Sequence, residues 1–309
     1  RQTFASEGLN VRADDAISLQ ETRPRTDWRA YIQVLKPRET LLLSFAGLAT
    51  AVLAADGAPP LGRLFWTALA VTLGSAGANG LTNYLDRDMD ARMERTRHRP
   101  LPSRRIWPAE RMLPLAIGLV LAGLVIAWVL NPWAFAAGLV GILASVVVRK
   151  RSITHVPLGE FASCAPFLIG WLGVNPRPEP LMWGLCGLIF IWTPIHVWSL
   201  MEAYRHDYLQ AGVRIFPLTI TPRQNMGILL GLAVALGVET LAMPLFSNLG
   251  VLYAAGALAL NVALIWSSVR LFRTGMTQAA WKMYKLSAYP YLGLILTLAC
   301  LDRWVALLF

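Results

Sequence analysis

An all-α fold follows from the sequence: a polytopic membrane protein of nine transmembrane helices with its N-terminus in the cytoplasm. Three features support this. The 309 residues are 56% hydrophobic and only 15% charged, with twelve tryptophans. The resulting mean hydropathy of +0.50 is too apolar for a domain with a wetted surface. The apolar residues gather in runs close to the roughly 20 residues that cross the hydrocarbon of a bilayer. Finally, the lysines and arginines fall almost entirely in alternate connections between those runs.

Taken in order, the runs are residues 40–55, 64–82, 112–130, 133–148, 156–174, 181–200, 226–246, 249–269 and 286–301. The fourth is short, and Pro157 and Pro166 make the fifth irregular. Placing the N-terminus inside puts seven Lys and Arg before Thr40, eight in 83–111, three in 149–155, three in 201–225 and four in 270–285, which is 25 of the 28. Only Arg63, Arg177 and Arg303 fall on the other side. Cytoplasmic connections are enriched in these residues, and one missed or invented helix would scramble the asymmetry.

Residues 1–30 mix acids and arginines without an apolar stretch, so they read as a cytoplasmic tail rather than a signal or transit peptide; residues 31–309 form one membrane domain. The net charge of +10 suits an anionic leaflet of the lipid bilayer and anionic substrates. No nucleic-acid partner is expected, because the arginines sit in short loops beside apolar helices. Cys164, Cys186 and Cys300 all lie inside apolar runs without a C-x-x-C pair, as packing residues do.

Two polar connections are long enough to hold chemistry. The first opens NYLDRDMDARMERTRHRPLPS from Asn83 to Ser103. If the second helix continues past the membrane surface, Asn83, Asp86 and Asp90 share one face. Two carboxylates one turn apart repel unless a cation lies between them, and an all-oxygen set beside an amide suits Mg²⁺, which leaves positions for water and phosphate. Asp88 points elsewhere. Arg95 and Arg99 are again one turn apart, with His98 between, and Pro100 closes the helical option. Forked guanidiniums beside Mg²⁺ suit a diphosphate. The plain alternative, charges anchoring a helix end at the interface, does not account for this spacing. In the second connection Asp207 is placed to complete the metal and diphosphate site from the opposite side, with Tyr204 one turn before it and Arg214 after a turn at Gly212.

NxxDxxxD followed by RTxxRPLP resembles the first signature of the UbiA superfamily of intramembrane prenyltransferases, and nine helices with two acidic cytoplasmic loops is that family's architecture. Within it, LKPRETLLL at 35–43, RKRSIT at 149–154, APFLIGW at 165–171, WTPIHVWSL at 192–200 and DYLQAGV at 207–213 resemble the heme-modifying branch, the protoheme IX farnesyltransferases or heme o synthases. Arg214 departs from that branch and is similar to a basic residue of the quinone-type relatives.

The resemblance implies a cell (inner) membrane enzyme with farnesyl diphosphate as donor, heme b as acceptor and Mg²⁺ as cofactor, and its heme product implies a downstream heme-modifying membrane enzyme. It places Mg²⁺ on Asn83, Asp86, Asp90 and Asp207, and the diphosphate on Arg95, Arg99 and Lys150 or Arg151. Trp192, Trp198 and Tyr204 are candidates to shield an allylic cation by cation–π attraction. His196, near the end of the sixth run, is a candidate to ligate heme iron or position the propionates, the alternative being a helix–helix hydrogen bond. Glu160 and Glu239 are acids inside apolar runs, Glu160 being nearer the pocket. His98 either contacts phosphate or is solvated. Two other readings stay open: the same fold with an aromatic, quinone-precursor or chlorophyll-like acceptor, supported by Arg214; and a transporter with an ion path through Glu160, Glu239 and His196, against which the acids concentrate in loops rather than at the midplane.

Overall fold

The computed structural model describes residues 27–147 and 155–308. Among the described residues every regular element is a helix, and none is a strand. In chain order the helices are α1 (Trp28–Val34), α2 (Pro37–Ala54), α3 (Leu61–Asp90), α4 (Leu113–Leu130), α5 (Pro132–Val147), α6 (His155–Val174), α7 (Pro180–Ala203), α8 (Arg205–Gln210), α9 (Phe216–Thr219), α10 (Pro222–Ala242), α11 (Val251–Thr274), α12 (Thr277–Leu286) and α13 (Leu294–Ala306). Six stretches are long and apolar enough to cross a membrane: Leu61–Asp90, Ala109–Leu130, Pro180–Ala203, Pro222–Leu245, Val251–Thr274 and Thr277–Ala306. The protein is an integral membrane protein.

The elements start and stop for local reasons. Prolines stand in the first turn of α2, α4, α7 and α10, where a missing N–H costs nothing. Thr221 and Gln224 form a reciprocal cap at the start of α10. Bare backbone lets helices approach: a Cβ on Gly170 would collide with the Gly47 carbonyl of α2, and one on Gly77 would stand 2.6 Å from the Ala116 carbonyl of α4. In lipid, where apolar side chains gain little from meeting one another, such close packing holds helices together. On the side away from the two long loops, Asp302 of α13 accepts from the Gly250 and Tyr253 amides at 2.6 and 3.1 Å, capping α11, and Arg303 pairs with Asp56 at 2.8 Å.

Several boundaries differ from the sequence reading. Pro166 does not break α6, which runs through it; neighbouring helices absorb a lost hydrogen bond in a packed bundle. Charged residues 270–285 are mostly helical rather than a loop: α11 carries Arg270 and Arg273, and α12 carries Lys282 and Lys285. Gly275, at φ 61°, makes the turn between them. The last membrane stretch is then kinked within Ser287–Gly293, where Ala288 leaves helical geometry (φ −66°, ψ −126°) two residues before Pro290.

Candidate active site

Helix α3 does continue beyond its apolar part, as the acidic spacing requires, and ends at Asp90. It does not reach Pro100. Residues 91–105 are turns, held by Thr96, whose hydroxyl donates to the Asp90 carbonyl at 2.9 Å, and by the buried Met93. Arg95 and Arg99 therefore stand on a folded loop, not on a further helical turn.

Asp90 is 1% exposed and pairs with Arg99 Nη1 at 2.8 Å, so an expected metal ligand and an expected diphosphate ligand face each other directly. Asp86 is half-buried one turn back, and Asp88 is exposed. Asn83 is buried and its amide nitrogen donates to the Val34 carbonyl at 2.6 Å, which fastens α1 against α3 and leaves the lone pairs of its oxygen as the side of the amide that can meet a cation.

Asp207 lies differently from a simple fourth metal ligand. Its two carboxylate oxygens accept the backbone N–H groups of Glu94 at 2.8 Å and Arg95 at 3.2 Å, clamping the second loop onto the first. Among the described residues no three His, Cys, Asp or Glu side chains gather into a metal cluster. Beside the clamp, Arg95 Nη2 donates to the Tyr208 hydroxyl at 3.0 Å, and its guanidinium lies 5.4 Å from the Tyr204 ring and 5.6 Å from the Tyr208 ring. Its Nε is buried and finds no acceptor among the described residues.

From Tyr204 a run of rings descends into the bundle. Tyr204 meets Trp281 edge-on at 5.7 Å, Trp281 stacks on Tyr284 at 5.1 Å, Tyr284 on His196 at 4.5 Å, and His196 on Trp192 at 4.7 Å. The structure thus joins Trp192 and Tyr204, two of the three expected rings, in one run with His196 and adds Trp281 and Tyr284 of α12. Trp198, six residues beyond Trp192 on α7, turns to another face, packs on Phe216 at 5.2 Å, and does not join the run. Sequence reasoning missed Tyr208, Trp281 and Tyr284; the i, i+3 spacing of Trp281 and Tyr284 was visible, but nothing local said which face would meet α7.

The second loop is braced from below. Arg205 pairs with the buried Glu202 at 3.1 Å and donates to the carbonyls of Pro217, Leu218 and Ile220, while Asn225 of α10 donates to Glu202 at 2.7 Å. Gly212, at φ 76°, makes the turn expected there. Arg214 and His98 are exposed. Glu239 is half-buried against the notch at Gly187, away from the ring run. Lys150 and Arg151 lie outside the described residues, as does the side chain of Glu160. Two cavities flank α3: one of about 80 Å³ lined by Gln33, Lys36, Glu39, Asn83 and Arg99 among others, and an apolar one of about 190 Å³ bounded by Val71, Gly74, Gly123, Gly138 and Ile169.

Comparison with known proteins places this geometry in context. The UbiA prenyltransferase family matches residues 41–289. A protoheme IX farnesyltransferase of Desulforudis audaxviator is 36% identical over 283 residues, covering 90% of this chain and 89% of that one. The protein of that name from Thermus thermophilus is 33% identical, covering 90% of this chain, which spans only 46% of its length. That from Methylococcus capsulatus is 30% identical, covering 91% and 95%. Among solved structures, a digeranylgeranylglyceryl phosphate synthase superposes with a TM-score of 0.71 at 16% identity over 90% of this chain and 97% of the other. A UbiA homolog from Archaeoglobus fulgidus bound to GPP and Mg²⁺ gives 0.62 at 15% identity over 87% and 99%.

Proposed function

The chain belongs to the UbiA prenyltransferase family, and from that premise we propose that it transfers the farnesyl group of farnesyl diphosphate to a vinyl group of heme b, with addition of water, giving heme o and diphosphate. The allylic C–O bond breaks and diphosphate leaves with the electron pair. The terminal vinyl carbon attacks the farnesyl cation. Water captures the cation left beside the porphyrin and loses a proton, giving a hydroxyethylfarnesyl group.

The observation that carries the reading is Arg95. Its Nε is a buried donor without an acceptor among the described residues, on a loop clamped by Asp207 at the head of the ring run. An unsatisfied buried donor is costly, and a diphosphate oxygen is the acceptor that suits a guanidinium. Arg95 and Arg99 bind the leaving group, together with Lys150 or Arg151, and their positive charge matches the negative charge developing on it. Arg99 must exchange its bond to Asp90 for diphosphate, and the pair keeps both groups neutralised until then. Arg214 and His98 extend the basic rim.

Asp86 and Asp90, with the oxygen of Asn83, fit Mg²⁺ by their chemistry: hard oxygen donors one turn apart, of the number this ion takes when phosphate fills its remaining positions. When bound, Mg²⁺ supplies charge that neutralises the diphosphate. Asp207 serves the same site by fixing the loop that carries Arg95. Below, Tyr204, Trp281, Tyr284, His196 and Trp192 form a continuous aromatic wall against water. Its end rings, Tyr204 and Trp192, are the ones that attract the cation, by about 0.5–2 kcal/mol each. The chain carries nine membrane spans, with the N-terminus and both long loops on the cytoplasmic side of the cell membrane, where a downstream heme-modifying enzyme receives the product.

Purified protein given Mg²⁺ and farnesyl diphosphate, with heme b and 4-hydroxybenzoate as separate acceptors, tests the reading by mass spectrometry. The expected product is heme heavier by a farnesyl group and one water. Turnover of the aromatic acid alone would move the chain to the quinone-type acceptors that Arg214 resembles.

A further inference from the structure

The apolar cavity beside α3 leads toward the acids above it. Val71, Ser75, Ala78 and Thr82 line it at successive turns of α3, and Asp86 is the next residue on that stripe. Asn79, also in the wall, stands one turn before Asn83. Three polar side chains of the wall spend their hydrogens elsewhere. Thr82 donates to the Asn79 carbonyl at 3.1 Å, Ser145 to the Ile142 carbonyl at 2.8 Å, and Asn79 to the Thr40 hydroxyl at 3.1 Å. With Val71, Leu124, Ile142 and Ile169 among them, the surface that remains suits hydrocarbon rather than water.

Four glycines line this cavity, and they do not serve one purpose. A Cβ on Gly123 would stand 2.7 Å from the Gly74 backbone nitrogen, one on Gly138 3.0 Å from the Leu124 side chain, and one on Gly141 2.5 Å from the Ala165 Cβ. At those three positions the missing side chain is what lets helices meet. Gly74 differs, because a Cβ there would meet nothing within 4 Å. It lies inside α3 and outside the positive-φ glycines, so no turn requires it. A glycine within a helix costs about 0.5–1 kcal/mol relative to alanine. What it leaves in return is space at the inner end of the cavity.

That space is set at a definite depth. Gly74 stands eight positions before Thr82, about 12 Å along the helix. At the roughly 1.2 Å per bond of an extended chain, a geranyl tail of about seven main-chain bonds covers about 8 Å and a farnesyl tail of about eleven covers about 13 Å. The cavity volume of about 190 Å³ exceeds the roughly 150 Å³ that admits benzene, enough for the far end of such a tail. We infer that Gly74 is a specificity-determining residue for the donor: with the diphosphate at Asp86 and the tail entering beside Thr82, it makes the room that the third isoprene unit fills. This rests on the reading of a prenyl diphosphate as donor and adds to it what selects the length of the tail. A shorter donor leaves the space empty and forfeits the burial.

The test is equilibrium binding of geranyl and farnesyl diphosphate, with Mg²⁺, to the purified full chain by titration calorimetry. Gly74→Leu fills the space without a clash. It should keep the wild-type Tm, hold geranyl binding within about twofold and weaken farnesyl binding about 10–100-fold. Gly118→Leu, at an exposed glycine of α4 whose Cβ also meets nothing within 4 Å, should leave both donors unchanged. If Gly74→Leu lowers the Tm, Gly74→Ala, which favours the helix, carries the same test with a smaller selective loss. Equal weakening of both donors overturns the assignment. So does weakening of neither, which would give the cavity to a lipid acyl chain. Farnesyl transfer to heme b is measured on the same samples. Selective loss of farnesyl binding in a protein that never farnesylates heme would sink the proposed acceptor and keep the role of Gly74, whereas heme turnover that Gly74→Leu leaves untouched would do the reverse.

Discussion

The two long loops carry similar residues and use them in opposite ways. In the first, Asp90 faces a side-chain cation, Arg99, at 2.8 Å. In the second, Asp207 accepts two backbone amides of the first loop. On the proposed reading the first acid exchanges its partner for a ligand, whereas the second holds the fold of its neighbour. An aspartate beside a helix end in a basic loop thus says little by itself about whether it binds substrate or builds the site.

The largest effect tests the first half of that contrast. Asp86→Ala with Asp90→Ala should lower prenyl transfer at least about 1000-fold in a protein that still purifies as a folded membrane protein; retention of a tenth of wild-type turnover would break the assignment of chemistry to the first loop. Next comes the brace beneath the second loop. Glu202→Ala leaves Arg205 half-paired and strands Asn225, which should cost about 3 kcal/mol, seen as a lowered Tm in detergent.

Asp207→Ala should reduce kcat/KM for farnesyl diphosphate about 100-fold, the scale on which a displaced loop misplaces a reacting group, without loss of bound heme. If heme binding falls and diphosphate kinetics do not, the clamp serves the acceptor instead. Tyr208→Phe removes one hydrogen bond to Arg95 and should raise KM about tenfold. The smallest change expected is Trp198→Phe, within about twofold in turnover, because its indole N–H has no partner among the described residues to lose.

Much of the fold was readable in the chain because the physics behind it is local. Apolar runs of spanning length become helices, since a backbone in lipid must satisfy its own hydrogen bonds, and α4, α7, α10 and α11 follow their runs closely. The spacing of Asn83, Asp86 and Asp90 survived because it depends only on helical periodicity. The loop after Asp90 was misread for the converse reason: Thr96 and Arg99 fold back onto Asp90 instead of extending the helix. The charged stretch 270–285 read as a loop because charge alone does not distinguish an interfacial helix from a turn.

The order of residues was enough to specify an integral membrane bundle of helices, two polar loops bearing the acids and arginines, and the family to which those motifs belong. It took the packed bundle to show that Asp207 clamps amides 112 and 113 positions away, that Tyr284 and Trp192 enclose His196, and that Trp198 turns aside. Local periodicity fixes which face of a helix a side chain occupies. Which neighbour that face meets depends on how closely small residues such as Gly47 and Gly170 let whole helices approach, and that is settled when all of them pack at once.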